Sequence, residues 1–178
     1  MKALYFLIPL FMVNACKTQT GPVISSENKN MEQVDKHNTD CPEAGNCSVV
    51  LHNNKTLEIK EDGTGAMYPE INDGENIVVE YTYSKEGPEG TADGNYSETI
   101  HFEIPANTSS LRKENTSLSD VKMLYGKHCF CKGEAGYYPL TDGNLVVNRN
   151  SETITFNLQF NVGKTSQVVS HIVETVKL

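Results

Sequence analysis

Apolar and polar residues alternate with period two through most of the chain after residue 47, and this period predicts strands rather than helices. Residues 77–83 combine β-branched and aromatic side chains, and residues 153–160 place apolar side chains on one face at every second position. Further strands are predicted at residues 49–51, 56–60, 96–104, 121–131 and 145–147. Seven or eight short strands predict one mainly β domain, either an antiparallel β-sandwich or a barrel-like sheet.

Turn-forming residues divide these segments. Asn53-Asn54 and two Asp-Gly pairs, at residues 62–63 and 73–74, predict tight turns between strands. The Gly/Pro-rich stretch 86–95 and the Asn/Ser/Thr-rich stretch 106–119 predict loops. We therefore expect a chain of separate short strands with a turn at each of these positions.

The last segment fits two patterns. Its apolar residues fall at helical spacing, at Val168, Val169, Ile172, Val173 and Val176. Their β-branching favours a strand. A helix is preferred for residues 166–177, because Ser166 could cap it and because a strand would place Glu174 in line with Ile172 and Val176.

The N-terminus has the organisation of an export signal. Lys2 precedes an apolar run over residues 3–13, which is shorter than the about 20 residues a membrane-spanning helix needs. The run ends in Val13-Asn14-Ala15-Cys16, and this tetrapeptide resembles the lipobox of bacterial lipoproteins. The resemblance implies cleavage before Cys16 and acyl chains on that cysteine, which would hold the protein on a membrane.

The lipoprotein resemblance also implies the domain organisation. Residues 1–15 would be the signal peptide, residues 16–40 a flexible polar tether, and residues 41–178 the β domain. The residues directly after Cys16 carry no acidic side chain, which favours a periplasm-facing rather than a surface-exposed protein of the cell envelope. An ordinary secreted protein is the alternative, and in that setting the Asn-x-Ser/Thr triplets could carry glycans.

The formal net charge of −8 excludes some partners. Nucleic-acid binding needs clustered Lys and Arg, so no nucleic-acid partner is expected. An acidic protein also gains nothing from anionic lipid headgroups, so membrane attachment would depend on the acyl anchor. The expected partners are therefore the membrane, through that anchor, and a protein of the envelope.

Four cysteines remain in the predicted domain, at positions 41, 47, 129 and 131. An even number in an exported chain predicts two disulfides. On an extended strand, residues i and i+2 lie too far apart for easy bridging, which favours Cys41 and Cys47 pairing with Cys129 and Cys131 in either order. Local pairing of Cys41 with Cys47 is the alternative.

Two groups of residues are candidate sites. His128, Cys129 and Cys131 could hold a soft metal or form a redox pair, provided that the thiols are free; otherwise the site has no metal. Tyr137 and Tyr138, in a Gly-flanked segment, could form a ligand-binding surface. No catalytic motif, phosphate loop or cofactor fingerprint occurs, so neither catalysis nor a cofactor is predicted.

These observations predict a cell-envelope lipoprotein whose domain binds or scaffolds a partner without catalysis. The alternative is a metal- or redox-handling envelope protein that uses His128, Cys129 and Cys131. The sequence identifies no family for the domain itself.

Overall fold

The computed structural model describes residues 41–91 and 93–178, together with the backbone of a two-residue strand at Glu32–Gln33. The predicted signal peptide, the lipidated Cys16 and most of the tether lie outside the described residues. No helix within the described residues has the length and apolar character needed to cross a bilayer.

The described chain is mainly β, as the alternation predicts, and its strands form two antiparallel sheets. One sheet has six strands and the other four, and the strands of each are named here in the order in which they are hydrogen-bonded. The first sheet contains β1 (Glu32–Gln33), β2 (Asn46–Glu61), β3 (Met67–Lys85), β4 (Tyr96–Ile104), β6 (Leu124–His128) and β7 (Gly136–Pro139). The second contains β5 (Ser110–Glu114), β8 (Gly143–Arg149), β9 (Thr153–Phe160) and β10 (His171–Lys177). A 3-10 turn at Asn115–Val121 joins β5 to β6.

The main core lies between the two sheets. The predicted inward positions of β9 are all buried, at Ile154, Phe156, Leu158 and Phe160. Phe156 meets Phe102 of β4 edge to face, with ring centroids 5.4 Å apart. Burial of two apolar faces against each other is what a sandwich requires.

The helix preferred at the C-terminus is wrong, because residues 171–177 form strand β10. Strand β10 pairs with β9 along its whole length, so its β-branched side chains pack on a sheet where their restricted rotamers fit. Ile172 and Val176 point into the core, and Glu174 between them is also buried. A strand was expected to place Glu174 in line with Ile172 and Val176, and the structure does place it there.

Two of the predicted turns are also wrong. Residues 53–54 and 73–74 lie inside the long strands β2 and β3, where the pairing is irregular around Lys55. A Cβ on Gly74 would come within 2.8 Å of the Thr56 backbone nitrogen, so only glycine permits this approach of the two strands. The turn at residues 62–63 is confirmed, because Asp62 accepts hydrogen bonds from the backbone of Thr64 and Ala66.

The part of the β2–β3 hairpin beyond this irregularity forms an arm, which comprises residues 55–75. Thr56 Oγ1 and Leu57 N donate to Glu103 Oε2 of β4 at 2.8 and 2.7 Å. Glu103 points away from the main core, so these bonds hold the arm to the outer face of the six-stranded sheet. Leu57, Val78 and Leu124 are fully buried without belonging to the main core.

Candidate functional site

Both disulfides are local, so the favoured crossed pairing is wrong. Cys41 bonds Cys47 and Cys129 bonds Cys131, with Cα–Cα separations of 5.8 and 5.2 Å. The separation expected of an extended strand does not apply to the second pair, because β6 ends at His128 and the chain bends over the next residues. That bend brings the two Cα atoms within the usual range for a bridge.

The two disulfides lie in different surroundings. Cys47 is buried in the main core on β2, where the Tyr81 hydroxyl donates to its Sγ at 2.9 Å. The Cys129–Cys131 bond closes a loop that contains only Phe130, whose side chain is 90% exposed. The first bond is therefore part of the core, whereas the second lies on the surface with a large aromatic ring at its tip.

A cleft of about 550 Å³ opens beside this disulfide loop, and we call it the loop-end cleft. It is bounded by the end of β3, the loop after β3, the start of β4 and the end of β6. Its lining residues are Ser84, Lys85, Glu86, Asp93, Asn95, Tyr96, Ser97, His128, Cys129 and Phe130. The cleft therefore combines aromatic rings, charges of both signs and one cysteine of the disulfide.

A second concavity of about 910 Å³, the adjoining groove, lies across Tyr96 from the cleft. Residues 42–44 of the first disulfide loop and the half-exposed Val168 line it. Lys85, Glu86 and Tyr96 line both concavities. Both disulfide loops and both concavities thus occupy the same end of the sandwich.

A buried carboxylate beneath this surface holds Tyr96 in place. Glu98 is 1% exposed, and its oxygens accept the backbone N–H groups of Val168 and Val169 at 2.6 and 2.9 Å. The Tyr96 hydroxyl also donates to Glu98. Burial and the nearby carboxylate raise the pKa of Tyr96, so the phenol stays protonated and remains a donor.

Lys127 lies opposite Glu98 on β6 and is 2% exposed. Its ammonium donates to Glu134 Oε2 at 2.5 Å and to the side-chain and backbone oxygens of Ser166 at 2.7 and 2.9 Å. It also lies 5.7 Å from the centre of the Tyr96 ring. Hydrogen bonds from Lys127 and Ser166 hold the pKa of Glu134 at about 2. Together Glu98 and Lys127 fix the 163–169 loop and the floor of the cleft.

A second cluster of ionisable groups lies on the outer face of the same sheet. His52 Nε2 lies 2.9 Å from Glu80 Oε2, and His101 Nε2 lies 3.8 Å from Glu80 Oε1. Hydrogen bonding to His52 holds the pKa of Glu80 below its ordinary value. The His101 side chain is 5% exposed, its Nδ1 has no hydrogen-bond partner, and burial lowers its pKa.

The predicted tyrosine pair lies on opposite faces of β7. Tyr137 packs on the outer face over Gly126, with its ring 5.2 Å from that of His128 and 6.4 Å from that of His101. Tyr138 packs near Tyr125 towards the core and donates to the carbonyl oxygen of Glu134 at 2.9 Å. Both tyrosines are half-buried. Because their rings lie on opposite faces of β7, they do not form a shared surface.

Cys129 and Cys131 are bonded to each other, so in this state they offer no thiolate to a metal. Among the described residues, no three or more His, Cys, Asp and Glu side chains form a group that could hold a metal ion. His128 lies at the cleft, and burial lowers its pKa, which keeps the imidazole neutral near pH 7.

The sequence reasoning missed Phe130, Tyr96 and the buried charges beneath them. A signal for Glu98 was present, because Glu98 shares the alternation of Ile100 and Phe102 and so occupies a core-facing position. No comparable signal in the sequence marked the exposure of Phe130, because an apolar residue between two cysteines can be buried as readily as exposed. That exposure follows from the local disulfide.

Comparisons with known proteins find no match for this chain among protein-family models, curated proteins or solved structures. The domain therefore has no recognised family, as the sequence suggested.

Proposed function

We propose that the protein is a cell-envelope lipoprotein, anchored to a membrane by acyl chains on Cys16, whose domain binds a protein partner without catalysis. The partner would dock at the loop end, which comprises Phe130, the loop-end cleft and the adjoining groove. The observation that carries this proposal is the 90% exposure of Phe130 at the tip of a disulfide-closed loop.

Exposed aromatic rings between concave surfaces are favourable binding anchors. A buried Phe side chain contributes about 1.5–3 kcal/mol relative to an exposed one, and aromatic residues are enriched at the centres of interfaces. The concavity on the far side of Tyr96 adds the half-exposed Val168 as a second apolar contact. Lys85, Glu86 and Asp93 provide charges of both signs around Phe130, which is typical of a polar rim.

The loop end is also held in shape before a partner arrives. The Cys129–Cys131 bond restricts the loop that carries Phe130, and Glu98 and Lys127 hold the 163–169 loop beneath Tyr96. Less conformational entropy is then lost when a partner binds. A rigid surface of this kind suits binding.

The tether would join the domain beside this surface. Cys41, at the boundary of the predicted tether, bonds Cys47 within the loop whose residues 42–44 line the adjoining groove. Because Glu32–Gln33 pair with β2, the free part of the tether would be residues 16–31, and a flexible chain of that length has a root-mean-square reach of about 22 Å. Anchoring would therefore confine the site to a thin layer next to the membrane and raise its effective concentration for a membrane-associated partner.

Site-specific photocrosslinking in cells tests this proposal. A photoreactive phenylalanine analogue at position 130 of the full chain is expected to give one adduct of defined mass. The matched control carries the same analogue at Ile59, which is 37% exposed on the arm. The third chain carries both the analogue at position 130 and Cys16→Ser. Its adduct yield should be at least about 10-fold lower than that of the chain with Cys16 intact, because the domain is no longer concentrated at the membrane.

Fatty-acid labelling of the same three chains reports the anchor, with label expected on all except the Cys16→Ser chain. Equal adducts from positions 130 and 59, or none from position 130, would refute the binding surface. Label that persists after Cys16→Ser would refute the anchor.

A further inference from the structure

We infer that the Cys129–Cys131 disulfide is a thiol–disulfide exchange site that accepts electrons from the cysteine thiols of another polypeptide. This activity goes beyond the proposed binding function and does not depend on it. The observations are the small closed loop, the 90% exposure of Phe130 at its tip, and the cleft that Cys129 lines.

The fold does little to protect this bond. The two cysteines are separated by one residue and lie in the loop between β6 and β7. Opening the bond would disturb no strand register, because β6 ends at His128 and β7 begins at Gly136. A disulfide that closes so short a loop also restricts the unfolded chain very little, so its loss costs little stability. Cys129 and Cys131 are both half-buried at the surface rather than buried in the core, and disulfides that a thiol can reach are the readily exchanged ones.

The other disulfide provides a contrast within the same chain. Cys47 is 9% exposed, belongs to strand β2 opposite Tyr83 and accepts the Tyr81 hydroxyl. Attack at Cys47 requires opening of the core, and attack at the half-buried Cys41 would release Cys47 as a thiolate inside the core, which is unfavourable unless the fold opens. The chain therefore contains one protected structural disulfide and one disulfide that is easier to reach.

The position of the cleft favours Cys129 as the cysteine that a substrate attacks. Cys129 lines the loop-end cleft and Cys131 is not among its lining residues. A substrate thiolate in the cleft would attack Cys129 Sγ, forming a substrate–Cys129 disulfide and releasing the Cys131 thiolate. Lys132, the next residue, is an exposed cation, and a cation near a leaving sulfur favours its thiolate form.

A second thiolate of the substrate completes the exchange. It attacks the substrate sulfur of the mixed disulfide and releases the Cys129 thiolate. In total the substrate loses two electrons and two protons and becomes a disulfide, while the Cys129–Cys131 bond is reduced to two thiols. The substrate class is thus an exported polypeptide with a pair of reduced cysteines, and its aromatic or apolar side chains would contact Tyr96 and Phe130.

A redox titration of the mature chain, purified without reductant, tests the accessibility of the bond. The folded protein is equilibrated in glutathione buffers of graded potential, free thiols are alkylated, and peptide mass spectrometry assigns the labelled cysteines. Cys129 and Cys131 should be labelled together, in buffers that leave Cys41 and Cys47 bonded. With dithiothreitol, Cys41 and Cys47 should react at least about 100-fold more slowly, because their reduction needs an opening of the fold.

The exchange itself is measured with a synthetic peptide that contains two cysteines. One peptide disulfide should form for each mature chain. In the reverse direction, the single variant Cys131→Ser should attack the oxidised form of the same peptide through its Cys129 thiolate, which gives a Cys129–peptide mixed disulfide and one free peptide thiol. The double variant Cys129→Ser/Cys131→Ser, which retains the core disulfide, should oxidise no peptide. The inference is overturned if Cys41 and Cys47 are reduced as easily as Cys129 and Cys131, or if the reduced pair appears without oxidised peptide.

Discussion

Strand β4 carries one cluster of ionisable side chains on each of its faces, and the two clusters differ in how completely they are hydrogen-bonded. On the inner face, Glu98 accepts two backbone N–H groups and a phenol, and Lys127 has three oxygen partners within 3 Å. On the outer face, Glu80 pairs with His52, whereas His101 Nδ1 is buried without a partner. The same strand therefore supports a satisfied network and an incomplete one.

The difference shows what each cluster does for the fold. A buried charge costs several kcal/mol unless hydrogen bonds replace its water, so the inner cluster can persist only because it is complete. Its partners belong to the loop that forms part of the candidate site, which makes it a structural support for that site. The outer cluster can tolerate His101 Nδ1 without a hydrogen-bond partner, because burying a neutral imidazole costs far less free energy than burying a charge.

The largest expected effect comes from Glu98. The substitution Glu98→Ala leaves the N–H groups of Val168 and Val169 without their acceptor, and we expect a loss of about 4 kcal/mol in the free energy of unfolding. Urea denaturation of the mature domain measures this loss. Glu98→Gln keeps one acceptor oxygen and should lose about half as much.

The exposed Glu89→Ala is the matched control and should change stability by less than about 0.5 kcal/mol. A Glu98→Ala loss as small as that of the control would contradict the assignment of Glu98 as the support of the 163–169 loop.

A smaller effect is expected from Lys127→Met, at about 2 kcal/mol, because Glu134 remains 44% exposed and water can replace part of the pairing. The sharper readout is the carboxyl of Glu134, whose pKa should rise from about 2 towards the ordinary value of 4.5. In the native chain the lowered pKa contributes stability above pH 4.5, and this contribution is lost as the pH falls towards 2.

The Lys127→Met chain should lack that acid-dependent loss, as an NMR titration and denaturation at several pH values would show. Lys113→Met, which removes the half-buried partner of the exposed Asp120, is the control. An unchanged pKa of Glu134 in Lys127→Met would rule out Lys127 as the cause of the shift.

The smallest effect at neutral pH is expected from His101→Leu. Removal of the unpartnered nitrogen compensates for the lost contact with Glu80, so stability at pH 8 should change by no more than about 1 kcal/mol. The difference should appear in acid. Because burial lowers the pKa of His101, the unfolded chain takes up a proton first, and native stability falls as the pH drops below about 6.5.

His101→Leu should weaken this fall between pH 7 and pH 5, as thermal denaturation across the range would measure. His171→Leu on β10 serves as the control. Parallel pH profiles of the native chain and His101→Leu would show that the outer cluster does not set the acid response.

Period-two alternation in the chain was enough to establish the mainly β class and the inward face of β9, and the even number of cysteines predicted two disulfides. These features depend on neighbouring residues, because strand periodicity and the number of cysteines can be counted along the chain. The N-terminal pattern likewise predicts export and lipidation at Cys16 without reference to the fold.

Tertiary structure decided the features whose partners are distant in sequence. Residues 171–177 became a strand because β9 offers an edge along their whole length. The turn-forming pairs Asn53-Asn54 and Asp73-Gly74 predicted turns, yet both pairs lie within strands β2 and β3, which stay continuous across an irregularity in their pairing. The bend after His128 allowed Cys129 to bond Cys131 and left Phe130 exposed. In each case a pairing across the fold outweighed a local preference, because the burial and hydrogen bonds gained exceed the roughly 1 kcal/mol differences in intrinsic propensity.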